Sequence, residues 1–123
     1  MSENVTKIQD RALPIRITDK KTGNIYDLDF SRNSIKFAES RGFKLDELTV
    51  FPVTRIPEFF YYAFRKNHQN VARSQTDALL ENMGGLTNAI LERLIMLYNQ
   101  AALTHLIATD EEAEKNSEVT VEL

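Results

Sequence analysis

His68 and His105 are the chain's only histidines, and a metal site needs several ligands converging from a regular spacing. The two fall near the ends of different predicted helices with no partner at such a spacing. A helix-terminal or surface role therefore suits them better than ligation. Asp27 and Asp29 alternate along an extended segment and so share one face. Two neighbouring carboxylates could divide general acid and general base work, but on the edge of a hairpin the same spacing describes a solvated polar face. Gly84-Gly85 lacks the preceding strand and the Lys-Ser/Thr pair of a phosphate loop. No serine stands in a nucleophile elbow. The chain has no cysteine, which removes a thiol nucleophile, a disulfide scaffold and a cysteine zinc site together. The reading is of a protein that is not an enzyme, with no cofactor and no metal.

Arg65, Lys66, His68 and Arg73 follow the aromatic run at 59–64, and aromatics interleaved with cations can stack bases and hold phosphates. Phe59, Phe60 and Phe64 fall on the stripe that should be core, however, which leaves Tyr61 and Tyr62 off it. The charge balance also opposes broad phosphate binding. Residues 110–123 hold six carboxylates (Asp110, Glu111, Glu112, Glu114, Glu118, Glu122) against Lys115, or −5 of an overall −3, so the first 109 residues carry +2. A concentrated basic face is missing. At 123 residues, 42% hydrophobic and 27% charged, the composition is that of one soluble globular domain. No stretch approaches the ~20 apolar residues of a bilayer span, and no apolar leader is visible.

The elements that must position these residues follow from periodicity. Residues 1–12 are polar and aperiodic and read as a flexible arm. Leu13, Ile15 and Ile17 alternate, as do Tyr26, Leu28 and Phe30. The turn-rich Asp19–Asn24 lies between the two runs, so together they form a β-hairpin. Ser31 is the predicted N-cap of a helix that ends at Gly42. Phe43, Leu45 and Leu48 form a short turn leading to Phe51-Pro52. Pro57 is placed in the first turn of a helix over 58–68, with Ile56, Phe59, Phe60, Ala63 and Phe64 on one stripe. Ser74, with Asp77 three residues on, opens a short helix ending at Gly84-Gly85. Thr87 caps the longest helix, 88–108. The fold class is α+β, mostly α: an N-terminal β-hairpin packed on a bundle of about four helices, with residues 13–108 as the single domain. Residues 109–123 form an acidic tail, expected to be disordered in isolation.

The last helix carries apolar residues on more than one face, and the aromatic helix is also rich in large side chains. The surplus over what a hairpin and short helices must cover suggests a docking surface for a partner helix or another subunit. Its expected residues are Phe60, Tyr61, Tyr62, Phe64, Leu97, Tyr98, Leu103 and Ile107.

From about Ile25 to Leu106 the chain resembles the tail assembly chaperones of long-tailed phages and prophages of Gram-positive hosts. Tyr26-Asp27-Leu28-Asp29-Phe30-Ser31-Arg32 with Ile35 and Glu39 is similar to that family's strand-into-helix segment. Gly42-Phe43 with Leu45 and Leu48 resembles its Gly-Phe turn. Pro57 to His68 is the most telling piece, and it continues through Thr76-Asp77, Leu79-Leu80, Gly85, Leu94 and Met96–Tyr98. The resemblance implies a chaperone that coats the helical tape measure protein while the tail tube polymerises around it, self-associates along that target, and is absent from the mature virion. It further implies the host bacterial cytoplasm as location, the tail tube protein as a second contact, and a longer form of the chain made by frameshifting. Glu114-Lys115-Asn116 permits a slippery heptamer for such a frameshift. The competing readings are a prophage-encoded interaction adaptor and a DNA-binding regulator.

Overall fold

The computed structural model describes residues 11–103 and 118–123. Two strands, β1 (Ile15–Thr18) and β2 (Ile25–Leu28), precede four α-helices: α1 (Arg32–Ser40), α2 (Pro52–Tyr62), α3 (Arg73–Met83) and α4 (Asn88–Leu103), with a 3-10 turn at Leu45–Glu47. The strands pair antiparallel, Ile15 opposite Leu28 and Ile17 opposite Tyr26, which places Ile15, Ile17, Tyr26 and Leu28 on the core side. The loop between them closes as the turn residues dictate. Lys21 N–H donates to Asp19 Oδ1 at 2.9 Å, Asp19 N–H to the Asn24 carbonyl at 2.8 Å, and Gly23 takes a φ of 79°.

Ser31 caps α1 as expected, and Ser34 completes a reciprocal box: Ser34 N–H donates to Ser31 Oγ at 3.1 Å and Ser31 N–H to Ser34 Oγ at 2.9 Å. The helix ends in a Schellman motif at Gly42, φ 89°, where Gly42 N–H donates to Glu39 O and Phe43 N–H to Ala38 O. That geometry turns Phe43 back into the core.

Three helix boundaries differ from the sequence reading. The helix expected at 58–68 starts at Pro52 and ends at Tyr62, with Pro57 inside it. Pro52 already occupies the first-turn position. The acceptor that Pro57 leaves without a helical donor belongs to Val53, which is 88% exposed, so water can satisfy it. After Tyr62 the chain tightens into turns, because the Ala63 carbonyl accepts from Asp29 N–H at 3.1 Å. The next helix begins at Arg73, not after Ser74. Ala72 stands at the cap position and has no side-chain oxygen; its own N–H is taken by Gln75 Oε1 at 2.7 Å, so only the return half of a capping box forms. Gly84 then closes α3 in the left-handed region, φ 75°, and Thr87 Oγ1 accepts from Ile90 N–H at the start of α4.

The core is a run of aromatic rings. Phe59 stacks between Phe30 and Phe43, with centroids 5.3 and 5.5 Å away, and Tyr98 meets all three edge-on. Phe60, Phe64 and Tyr26 continue it beneath the hairpin. Leu28, Ala38, Ala63, Leu94 and Leu97 fill the remaining space. Ala12, the last residue of the expected arm, is buried in this core, and its N–H donates to Gln100 Oε1 at 2.9 Å. Residues 1–10 of that arm and 104–117, which include His105, Ile107 and most of the acidic tail, lie outside the described residues. Among those described, no helix is long and apolar enough to cross a membrane.

Candidate interaction surface

Among the described residues, Asp27, Asp29 and His68 are each committed to a structural partner. Asp27 holds Arg16 across the hairpin (Nε to Oδ1, 2.9 Å), and Asp29 holds Lys66 at 2.6 Å, so the two carboxylates do not form a pair with each other. The Arg16 guanidinium lowers the Asp27 pKa from its ordinary value, mainly through that hydrogen bond. His68 Nε2 accepts from Asp27 N–H at 2.9 Å, which requires the neutral ring protonated on Nδ1. Among the described residues no group of His, Asp and Glu is arranged to hold a metal ion.

The basic run beside the aromatics is also engaged internally. Arg65 lies over the Phe37 ring at 3.8 Å and Arg41 over the same ring at 4.5 Å. Arg73 pairs with Asp77 at 2.8 Å. With Lys66 on Asp29, these cations meet neighbouring side chains, and the neutral His68 meets the Asp27 main chain.

Of the expected docking residues, Phe60, Tyr62, Phe64, Leu97 and Tyr98 are buried. Their aromatic and aliphatic surface faces the core, so they cannot present a docking surface; this corrects the reading of them as partner contacts. Tyr61 is half-buried, its ring 5.3 Å from that of Tyr62. Leu103 is exposed, and Ile107 lies outside the described residues. The expected surplus on the last helix also shrinks, because Ile90, Leu91, Ile95, Ala101 and Ala102 pack against the core.

What stays open on α4 is narrower. Met96 and Leu103, seven residues apart and therefore on one face, are 49% and 51% exposed. Leu13, 67% exposed, lies in the segment that α4 holds through its main chain. Arg93 Nη1 donates to the Leu13 carbonyl at 3.2 Å and Gln100 receives the Ala12 N–H, about one turn on either side of Met96. Met96 and Leu103 thus form a short apolar strip on the exposed face of α4. The spacing of Met96 and Leu103, off the buried row of Leu94, Leu97 and Tyr98, was the available sequence signal for it.

A second apolar spot went unread in the sequence: Val50, Phe51 and Val53 are exposed where the chain enters α2. Arg55 braces that corner, with Nη2 2.7 Å from Glu47 and Nη1 2.7 Å from Glu58. Starting the helix at Pro52 puts Phe51 at the cap and Val53 in the first turn, where neither side chain reaches the core. The signal was Pro52 itself, outweighed in the sequence by Pro57.

Comparison with known proteins returns a single kind of match. No curated protein matches the chain, and no solved structure does. A family model described as a domain of unknown function (DUF5055) matches residues 1–123, and the chain belongs to that family.

Proposed function

We propose that this protein is a non-catalytic tail assembly chaperone that masks the helical tape measure protein while a phage tail tube is built. The observation that carries the proposal is the apolar strip of Met96 and Leu103 on the exposed face of α4. A tape measure helix exposes its own apolar stripe until the tube encloses it, and a narrow strip along a rigid helix can cover a few turns of that stripe. A contact this small is individually weak, which suits a chaperone that the growing tube must displace. Many copies side by side supply the retention that one lacks. The acidic residues after 109 give a coated complex like-charge repulsion against clumping. Further support comes from the similarity of the strand-into-helix segment and the Pro57–His68 stretch to such chaperones. On this reading the protein acts in the cytoplasm of the bacterial host, meets the tail tube protein as it assembles, and is absent from the finished virion.

The test is co-expression with the tape measure protein of the same phage or prophage. The proposal expects the tape measure to stay in the supernatant and to co-purify with several copies of this chain. A tape measure that precipitates equally with and without the chain would overturn it.

A further inference from the structure

A groove of about 560 Å³ opens where four parts of the chain meet. They are residues 11–14, the turn from β2 into α1, Lys66 after α2, and the last full turn of α4 at Gln100 and Ala101. Among the described residues its charged lining is Arg11, Arg32 and Lys66 against Asp29. The Asp29 carboxylate is already engaged, Oδ2 with Lys66 Nζ at 2.6 Å and Oδ1 with the Phe30 N–H at 2.8 Å. Three cations to one carboxylate leave a local surplus of two positive charges, as much as the first 109 residues carry in total. Arg11 and Arg32 are both exposed.

The groove adjoins the α4 strip. Gln100, which lines it, lies four residues after Met96 and three before Leu103, so the three are neighbours on the helix surface. Gln100 Oε1 also accepts the Ala12 N–H at 2.9 Å, which ties the segment carrying Arg11 to α4. A helix seated on Met96 and Leu103 therefore has the groove along its flank.

We propose that the groove takes a carboxylate of that same partner, an amphipathic helix with Asp or Glu beside its apolar row. The proposal rests on the α4 strip as the seat of the helix, and it adds selectivity. Two apolar side chains hold any greasy helix in any register, whereas fixed positive charges to one side favour the helix with opposite charge at that place. A guanidinium suits the task, since it can meet a carboxylate with two parallel N–H donors. The Lys66 ammonium offsets the Asp29 charge that would otherwise repel the newcomer. A nucleic acid is the poorer occupant: two surplus charges answer only a couple of phosphates, and neither Met96 nor Leu103 offers a ring to stack a base.

The experiment titrates the full chain into two labelled synthetic helices of about 20 residues, read by fluorescence anisotropy. Both carry the same Leu row, flanked by Glu in one and by Lys in the other. The unaltered chain is expected to bind the Glu helix about tenfold more tightly, with the preference shrinking as salt rises. Because the whole chain carries −3, its overall field favours the Lys helix, so the expected preference reads the groove. Arg11→Glu with Arg32→Glu should reverse it. Should that double variant lose the fold by circular dichroism, Arg11→Glu alone decides, and an undiminished preference overturns the proposal. Equal binding of the two helices, each weakened by Met96→Glu with Leu103→Glu, overturns the proposal and leaves the strip reading standing. No binding of either helix, or binding indifferent to the Met96 and Leu103 changes, overturns both. Self-association of the full chain that is lost in high salt and in the arginine variant gives the groove to acidic residues of a second copy, and overturns the proposal as well.

Discussion

His68 bridges the end of α2 and the hairpin, its Nε2 accepting the Asp27 N–H while its ring meets Tyr26 edge-on at 5.3 Å. His68→Ala leaves that donor without its acceptor and removes the ring contact, so it should destabilise the protein by roughly 1–3 kcal/mol in urea denaturation. A cost near zero would mean that water replaces the imidazole. Tyr98 gives a pH signature of the aromatic core. Burial, followed by the charge of Glu39, pushes its pKa from 10.0 up to about 12. A phenol harder to ionise in the fold than in the unfolded chain contributes its full stability below pH 10 and loses it as pH climbs toward 12. Tyrosinate absorbance should therefore show a late-titrating group whose ionisation coincides with loss of the fold. Tyr98 ionising freely near pH 10 in a folded protein would contradict its place among Phe30, Phe43 and Phe59.

The helices separate local signals from tertiary ones. Gly42 closes α1 at φ 89°, and a Cβ added there meets nothing within 4 Å, so Gly42→Ala tests backbone conformation alone and should cost about 1 kcal/mol by thermal unfolding. Pro57 tests where α2 begins. With the helix starting at Pro52, Pro57→Ala restores a donor for the Val53 carbonyl and should stabilise the protein by roughly 1 kcal/mol. A helix starting at Pro57 would instead lose stability on that change. The hairpin, the Ser31 cap and the ends at Gly42 and Gly84 were legible in the sequence because each rests on residues within a few positions of one another. The end of α2 was not, since it is set by Asp29 reaching across 34 residues to the Ala63 carbonyl. The start of α3 at Arg73 escaped for a different reason: its cap residue, Ala72, has no side-chain oxygen, and Ser74 and Asp77 mimic a better cap two residues later.

For the molecule as a whole, the periodicity of α4 announced many apolar residues but not how many neighbours would cover them. The aromatic pile of Phe30, Phe43, Phe59 and Tyr98 and the close approach of α1 and β1 absorb most of that surface. This is why Phe60, Tyr62, Phe64, Leu97 and Tyr98 fell inside although their types suited a docking face. Among the apolar side chains that stay exposed on the helices are the α4 strip and the Val50–Val53 corner, and the proposed function rests on the first. The most direct measurement is co-purification of the tape measure protein with two variants that keep native circular dichroism. One carries Met96→Glu with Leu103→Glu, the other Val50→Glu with Val53→Glu. All four side chains are exposed, so each change should alter stability by no more than about 0.5 kcal/mol. The account predicts that the α4 variant loses the tape measure and the corner variant retains it; an α4 variant that co-purifies as well as the unaltered chain would contradict it.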